Sequence, residues 1–126
     1  NDLICAGDGV DTVTGSGGND RALGQDGADV LKGGDGNDKL LGGGKDDKLY
    51  GHNHGDILKG GEGSDRLEGG ANADTLYGEG HGKDRLYGNS GFDKLNGGEG
   101  GKDSCDGGTN KDRRKAAGCE KRKRLP

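Results

Sequence analysis

The sequence predicts an all-β solenoid with two sheets of short strands, 18 residues to a coil and about six coils. Three observations predict it. Aspartates stand nine residues apart at Asp2, Asp11, Asp20, Asp29, Asp38, Asp47, Asp56, Asp65 and Asp74, and continue at Asp84, Asp93, Asp103 and Asp112 after two one-residue slips. Two residues beyond each aspartate comes one apolar side chain, running from Ile4, Val13, Ala22, Leu31 and Leu40 through Leu49, Leu58, Leu67, Leu76, Leu86 and Leu95 to Cys105. Glycines, 32 in 126 residues, gather just before the aspartates, as in GGDGNDKLL from Gly33 to Leu41. One apolar residue in nine is too sparse for a helix face or a self-sufficient amphipathic strand. It suits a coil in which only stacking on the neighbouring repeats buries the side chain.

Within each unit the first six residues read as a turn and the last three as a strand. The glycines permit positive φ and let backbone carbonyls turn inward with no Cβ in the way. Calcium takes six to eight hard oxygens, from carboxylates and carbonyls, at about 2.3–2.6 Å. A glycine-rich turn ending in aspartate offers both kinds, though one turn offers too few. Successive turns lie on opposite edges of a flattened coil, so alternate turns stack. One edge should carry Asp20, Asp38, Asp56, Asp74, Asp93 and Asp112, and the other Asp11, Asp29, Asp47, Asp65, Asp84 and Asp103. The gaps between stacked turns allow at most about ten calcium ions.

Composition makes the same demand. Leu, Ile, Val and Phe total 18 of 126 residues while 33% are charged, proportions that by themselves describe a disordered chain. A buried leucine contributes roughly 1.5–3 kcal/mol, against about 1–2 kcal/mol to order each backbone residue. A further ligand has to close that gap. Residues 1–110 hold 11 basic and 21 acidic side chains, a net −10, whereas 111–126 hold 8 and 2, a net +6. Like charges stacked at strand spacing, about 4.8 Å, repel unless a cation lies between them. No apolar run reaches the length of a membrane span, and no signal peptide opens the chain. It starts inside a repeat, at Asn1-Asp2, which points to a fragment of a longer protein.

The turns GGDGND (33–38) and GGEGSD (60–65) match the pattern GGxGxDxUx in full, and the chain resembles the RTX (repeat-in-toxin, hemolysin-type) calcium-binding domains of secreted bacterial proteases, lipases, adhesins and toxins. The resemblance covers residues 1–112 and leaves 113–126 as a basic capping tail. It implies a right-handed parallel β-roll whose repeat aspartates bind Ca2+ through their carboxylates. Those are Asp11, Asp20, Asp29, Asp38, Asp47, Asp56, Asp65, Asp74, Asp84, Asp93, Asp103 and Asp112, with Gly33, Gly34, Gly36, Gly60, Gly61 and Gly63 in the two full turns. It also implies export in an unfolded state and folding on calcium outside the cell. The function expected is therefore a non-enzymatic, calcium-triggered folding and stabilising module of a larger secreted protein. An accessory domain of a secreted hydrolase and an adhesin or surface-binding segment are the alternatives.

Several turns depart from the pattern. Lys45, Asn72 and Asn110 replace the fourth-position glycine, and His52 and His54 replace two glycines in GHNHGD, making that turn the weakest of its column. His52, His54 and His81 come without the partner ligands a zinc or copper site requires and read as solvated turn residues. Glu79 and Glu99 read as exposed acids, because no base or nucleophile accompanies them. The ten-residue repeats ending in Asp84 and Asp103 each carry one extra residue, both place Gly-Lys before the aspartate, and they should form a matched pair of bulged turns on one edge. Basic side chains such as Arg21, Lys39, Lys48, Arg66, Arg85 and Lys94, with Tyr50, Tyr77 and Tyr87, should lie on the outer faces and blunt sheet pairing. The tail's basic run could bind nucleic acid, but a solvated terminus is the reading adopted, with no nucleic-acid partner.

Cys105 takes a core position near the open end, and a 14-residue step to Cys119 lets the tail fold back over it. A disulfide closing a loop of about 15 residues stabilises by roughly 3 kcal/mol in the chain-entropy view, and an extracellular setting permits it. The alternative is two unpaired cysteines. Cys5 is left over, on an outward position, for a residue upstream.

Overall fold

The computed structural model describes residues 1–109, 113–114 and 118–122, with backbone only at 113, 114, 121 and 122. Its strands are β1 (Leu3–Asp8), β2 (Thr12–Gly17), β3 (Arg21–Asp26), β4 (Val30–Asp35), β5 (Lys39–Gly44), β6 (Lys48–Asn53), β7 (Ile57–Glu62), β8 (Arg66–Ala71), β9 (Thr75–Tyr77), β10 (Arg85–Ser90), β11 (Lys94–Asn96), β12 (Asp103–Asp106), β13 (Arg113–Arg114) and β14 (Cys119–Arg122). Odd-numbered strands form one sheet in the order β1-β3-β5-β7-β9-β11-β13, and even-numbered strands form the other, from β2 to β14. Each strand therefore pairs in parallel with the strand two along. Register follows the 18-residue coil: Leu31 pairs with Val13 and Leu49, and Leu40 with Ala22 and Leu58. No helix among the described residues is long and apolar enough to cross a membrane.

Because side chains alternate along a strand, each unit sends inward its aspartate, the apolar residue two further on and the glycine two beyond that. Leu31, Leu40, Leu49, Leu58, Leu67, Leu76, Leu86 and Leu95 are fully or almost fully buried, and Val13, Ala22, Cys105 and Cys119 complete the core. The outer faces stay polar or half-exposed, with Leu3, Val10 and Phe92 as exposed apolar side chains.

The strands are longer than the three residues expected. Most run for six and take in the first two glycine positions of the turn, as β4 does with Gly33 and Gly34. Stacking explains this: Gly34 lies between Ser16 and His52 in register, so the backbone ladder continues across residues that a single repeat would leave as a turn. Before the C-terminal strands β12 to β14, which are also short, the exceptions are β9 and β11, three residues each, which lead into the two ten-residue repeats' turns. The extra residue is absorbed in the turn after them, and the core keeps step, with Leu86 between Leu67 and Cys105 and Leu95 against Leu76.

Beyond residue 112, β13 adds to β11 and β14 adds to β12, the latter with a register irregularity between Asp103 and Ser104. Cys105 and Cys119 are joined by a disulfide, their Cα atoms 5.6 Å apart, and Cys5 is an exposed free thiol.

Candidate metal centre

The aspartates form two columns, one along each edge. In one, the backbone N–H groups of Asp2, Asp20, Asp38, Asp56 and Asp74 each donate to Oδ1 of the aspartate one coil further on, at 2.7–2.8 Å. In the other, those of Asp11, Asp29, Asp47, Asp65 and Asp84 do the same at 2.8–2.9 Å, ending on Asp103. Asp20, Asp29, Asp38, Asp47, Asp56, Asp65, Asp74, Asp84, Asp93 and Asp103 are all buried. Asp112 lies outside the described residues. Asp2, exposed at the start of the chain, belongs to the first column through its N–H alone.

From Asp20 and Asp29 onward each carboxylate has thus spent one oxygen on the backbone. The other oxygen is the anomaly: Oδ2 of Asp11, Asp20, Asp29, Asp38, Asp47, Asp56, Asp65, Asp74 and Asp103 is buried without a hydrogen-bond partner. An unsatisfied buried carboxylate oxygen is costly, and here it recurs down both edges. The inward glycine makes room for it. A Cβ at Gly24, Gly42, Gly51 or Gly60 would collide both with Oδ2 of the aspartate five residues on and with the carbonyl oxygen of the first glycine in the next coil. Two oxygens therefore converge where each side chain is missing, and no N–H or O–H faces the carboxylate there. Among the described residues no three His, Cys, Asp or Glu side chains gather at one point. A cation on these edges would draw most of its oxygens from the backbone.

Glycines at the second and fourth turn positions serve differently, by adopting positive φ. Gly34 and Gly36 have φ of 115° and 127°, and Gly61 and Gly63 have 112° and 128°. Gly33 and Gly60, at the first position, are the inward glycines that face Asp38 and Asp65. Non-glycine residues are forced into the same region at Ser16, Gln25, Lys45, His52, His54, Asn72, Glu79 and Asn89, with φ between 66° and 82°.

Burial pushes the carboxyls up. Asp47, Asp56 and Asp65 rise to about 6, and Asp74 and Asp84 to about 7. Desolvation is the largest cause, the donated N–H opposes it, and the carboxylate one coil back adds to it. Asp38 and Asp103 move the same way, and His54 acts against the rise at Asp38 and Asp56.

The family model of the RTX calcium-binding nonapeptide repeat, built of four copies, matches residues 1–22, 6–40, 14–49, 32–63, 50–80 and 80–113. The chain belongs to this family. Family membership implies calcium binding, and the regularly stacked aspartates of this RTX roll fit it. An RTX β-roll is a structural calcium-binding unit and not by itself a catalytic one. Searches of curated proteins and of solved structures each found no match.

One further set of edge contacts escaped the reading of single repeats. Asn1, Asn19 and Asn37 form a second ladder whose Oδ1 atoms accept from the backbone N–H of Asn19, Asn37 and Gly55, at 2.7, 2.9 and 3.0 Å. Its bonds run opposite in direction to those of the aspartate columns. The signal was available, as asparagine at 18-residue spacing on one edge only.

Proposed function

We propose that this RTX roll is a calcium-triggered folding and stabilising module of a secreted protein, with ions held along both edges. The observation that carries the reading is the unpartnered Oδ2 of buried aspartates on both edges, which at Asp20, Asp29, Asp47, Asp56 and Asp65 converges with a glycine carbonyl oxygen of the next coil. The proposed ligands are the carboxylates of Asp11, Asp20, Asp29, Asp38, Asp47, Asp56, Asp65, Asp74, Asp84, Asp93, Asp103 and Asp112, with backbone carbonyls of the turns, those of Gly33, Gly34, Gly36, Gly60, Gly61 and Gly63 included. When bound, calcium supplies the positive charge that these oxygens lack. The chain supplies two pre-aligned columns, and it excludes water by stacking leucine beneath each turn. Up to about ten ions fit the gaps between stacked turns. On this reading the calcium-binding roll is residues 1–112 and the chain beyond it is a cap, of which β14 is tied to β12 by the Cys105–Cys119 bond.

Secretion is supported by the Cys105–Cys119 disulfide, which persists in oxidising compartments. Extracellular calcium modules bind at roughly 10⁻⁴–10⁻³ M, so the module would stay unfolded where calcium is scarce and fold where it is plentiful. Far-UV circular dichroism in chelator and in millimolar calcium, with calorimetry to count ions, tests this. Little β signal in chelator and full signal in calcium is the expected result, and an unchanged β spectrum in chelator would refute it.

A further inference from the structure

The two ten-residue repeats stack directly, and the Gly-Lys pair before the aspartate of each ends up on one edge. A Cβ at Gly101 would strike the Gly82 carbonyl and lie 3.1 Å from the Lys83 nitrogen, which sets the Lys102 turn on the Lys83 turn. In the strands that follow, Arg85 pairs with Ser104. Lys83, Arg85, Lys102 and Ser104, with Asp84, line a cleft of about 370 Å³. Asp84 is buried, with its Oδ1 accepting from the Asp65 N–H and its own N–H donating to Asp103 Oδ1, while Lys83, Arg85 and Lys102 are exposed.

None of these three cations has an ion-pair partner among the described residues, whereas Lys59 is held by Glu79 and Arg66 by Glu68. Lysines stacked at coil spacing on a chain of net charge −4 pose the aspartate problem with the sign reversed. Like charges so placed call for a counter-ion. We propose that this cleft binds a phosphate monoester, a tetrahedral anion close to doubly charged at neutral pH, held by Lys83, Arg85 and Lys102. A guanidinium fork can grip two of its oxygens, lysines serve as point charges, and the Ser104 hydroxyl can donate to another. A planar carboxylate would be satisfied by the arginine alone. The cleft volume falls in the range of about 300–1,000 Å³ typical of small organic ligands, which favours an ester on a sugar-sized body over a bare ion.

The test is calorimetric titration of the calcium-loaded full chain with glucose 6-phosphate, alongside glucose and inorganic sulfate, inorganic phosphate being avoided because it precipitates calcium. Circular dichroism of the same samples reports the fold. The site should bind glucose 6-phosphate saturably, sulfate more weakly and glucose not at all. The double variant Lys83→Ala, Lys102→Ala should weaken binding at least tenfold, and Lys48→Ala, on the same sheet but outside the cleft, less than twofold. No saturable binding in a sample with the β spectrum, sulfate binding as tight as the ester, or equal weakening by Lys48→Ala would overturn the assignment. A sample without the β spectrum in calcium would overturn the calcium reading, and this one with it, since the cleft exists only in the folded roll.

Discussion

Glycine at the first turn position and glycine at the fourth do different work, and substitution separates them. At the fourth, where Lys45 and His54 adopt φ of 78° and 74°, the strain of a left-handed L-residue costs about 1–2 kcal/mol. Lys45→Gly and His54→Gly should each stabilise the calcium-loaded roll by about 1 kcal/mol, read from the midpoint of urea unfolding. At the first position the demand is for space. Gly60→Ala pushes a methyl against Asp65 Oδ2 and the Gly78 carbonyl, so it should destabilise by about 1–3 kcal/mol, as overpacking does. The aspartate itself allows a sharper test. In Asp65→Asn the amide oxygen can still accept from the Asp47 N–H, while the new NH2 faces the Gly78 carbonyl. Such a variant should lose calcium affinity yet make the metal-free roll more stable at neutral pH. Destabilisation of both forms would mean that Oδ2 is not where the cation acts.

A column of carboxylates answers to pH in opposite directions with and without its metal. Asp47, Asp56 and Asp65 near 6, and Asp74 and Asp84 near 7, all stand above the ordinary carboxylate value of 3.8. A raised acid favours its protonated form in the folded state. Its stabilising contribution is therefore fully present below about pH 4 and lost as pH climbs through 6 to 7. The metal-free chain should gain β signal on acidification from pH 7 to 4. With calcium the sign reverses, because only ionised carboxylates hold the ion, so acid releases it. Two circular dichroism titrations, one in metal-free buffer and one in millimolar calcium, should move in opposite directions, and curves moving the same way would contradict the assignment. At the C-terminal end the Cys105–Cys119 bond ties β14 to β12. Its reduction should cost about 3 kcal/mol of stability, measured by urea unfolding with and without reductant in calcium.

Taken whole, the molecule is a one-dimensional stack in which each coil touches only its neighbours. A single leucine layer per unit contributes little against the cost of ordering nine backbone residues, and on the proposed function ligand binding enters the folding equilibrium. For an ion that binds only the folded chain, a tenfold rise in free calcium well above Kd adds about 1.4 kcal/mol per site. The unfolding free energy plotted against the logarithm of free calcium should therefore rise with a slope of several ions. A slope of one ion would show that the columns do not bind calcium as a set.

The nine-residue aspartate and leucine rhythm was enough to specify the solenoid, the 18-residue coil, the two edges and the buried leucine row, because each depends only on period and on side-chain alternation. Even the matched long turns were legible, since two insertions 19 residues apart must fall on the same edge. Strand length was not. Whether Gly33 and Gly34 are turn or strand depends on the stacked coils above and below, whose hydrogen bonds no single repeat contains. Nor could the sequence say which carboxylate oxygen remains available, because Oδ1 is spent on an N–H one coil back, 18 or 19 residues away. Lys83 and Lys102 were legible as partners in the matched turns, but that they and Arg85 line one cleft was decided only by the stacking. Those decisions belong to contacts between coils, and contacts between coils exist only in the tertiary structure.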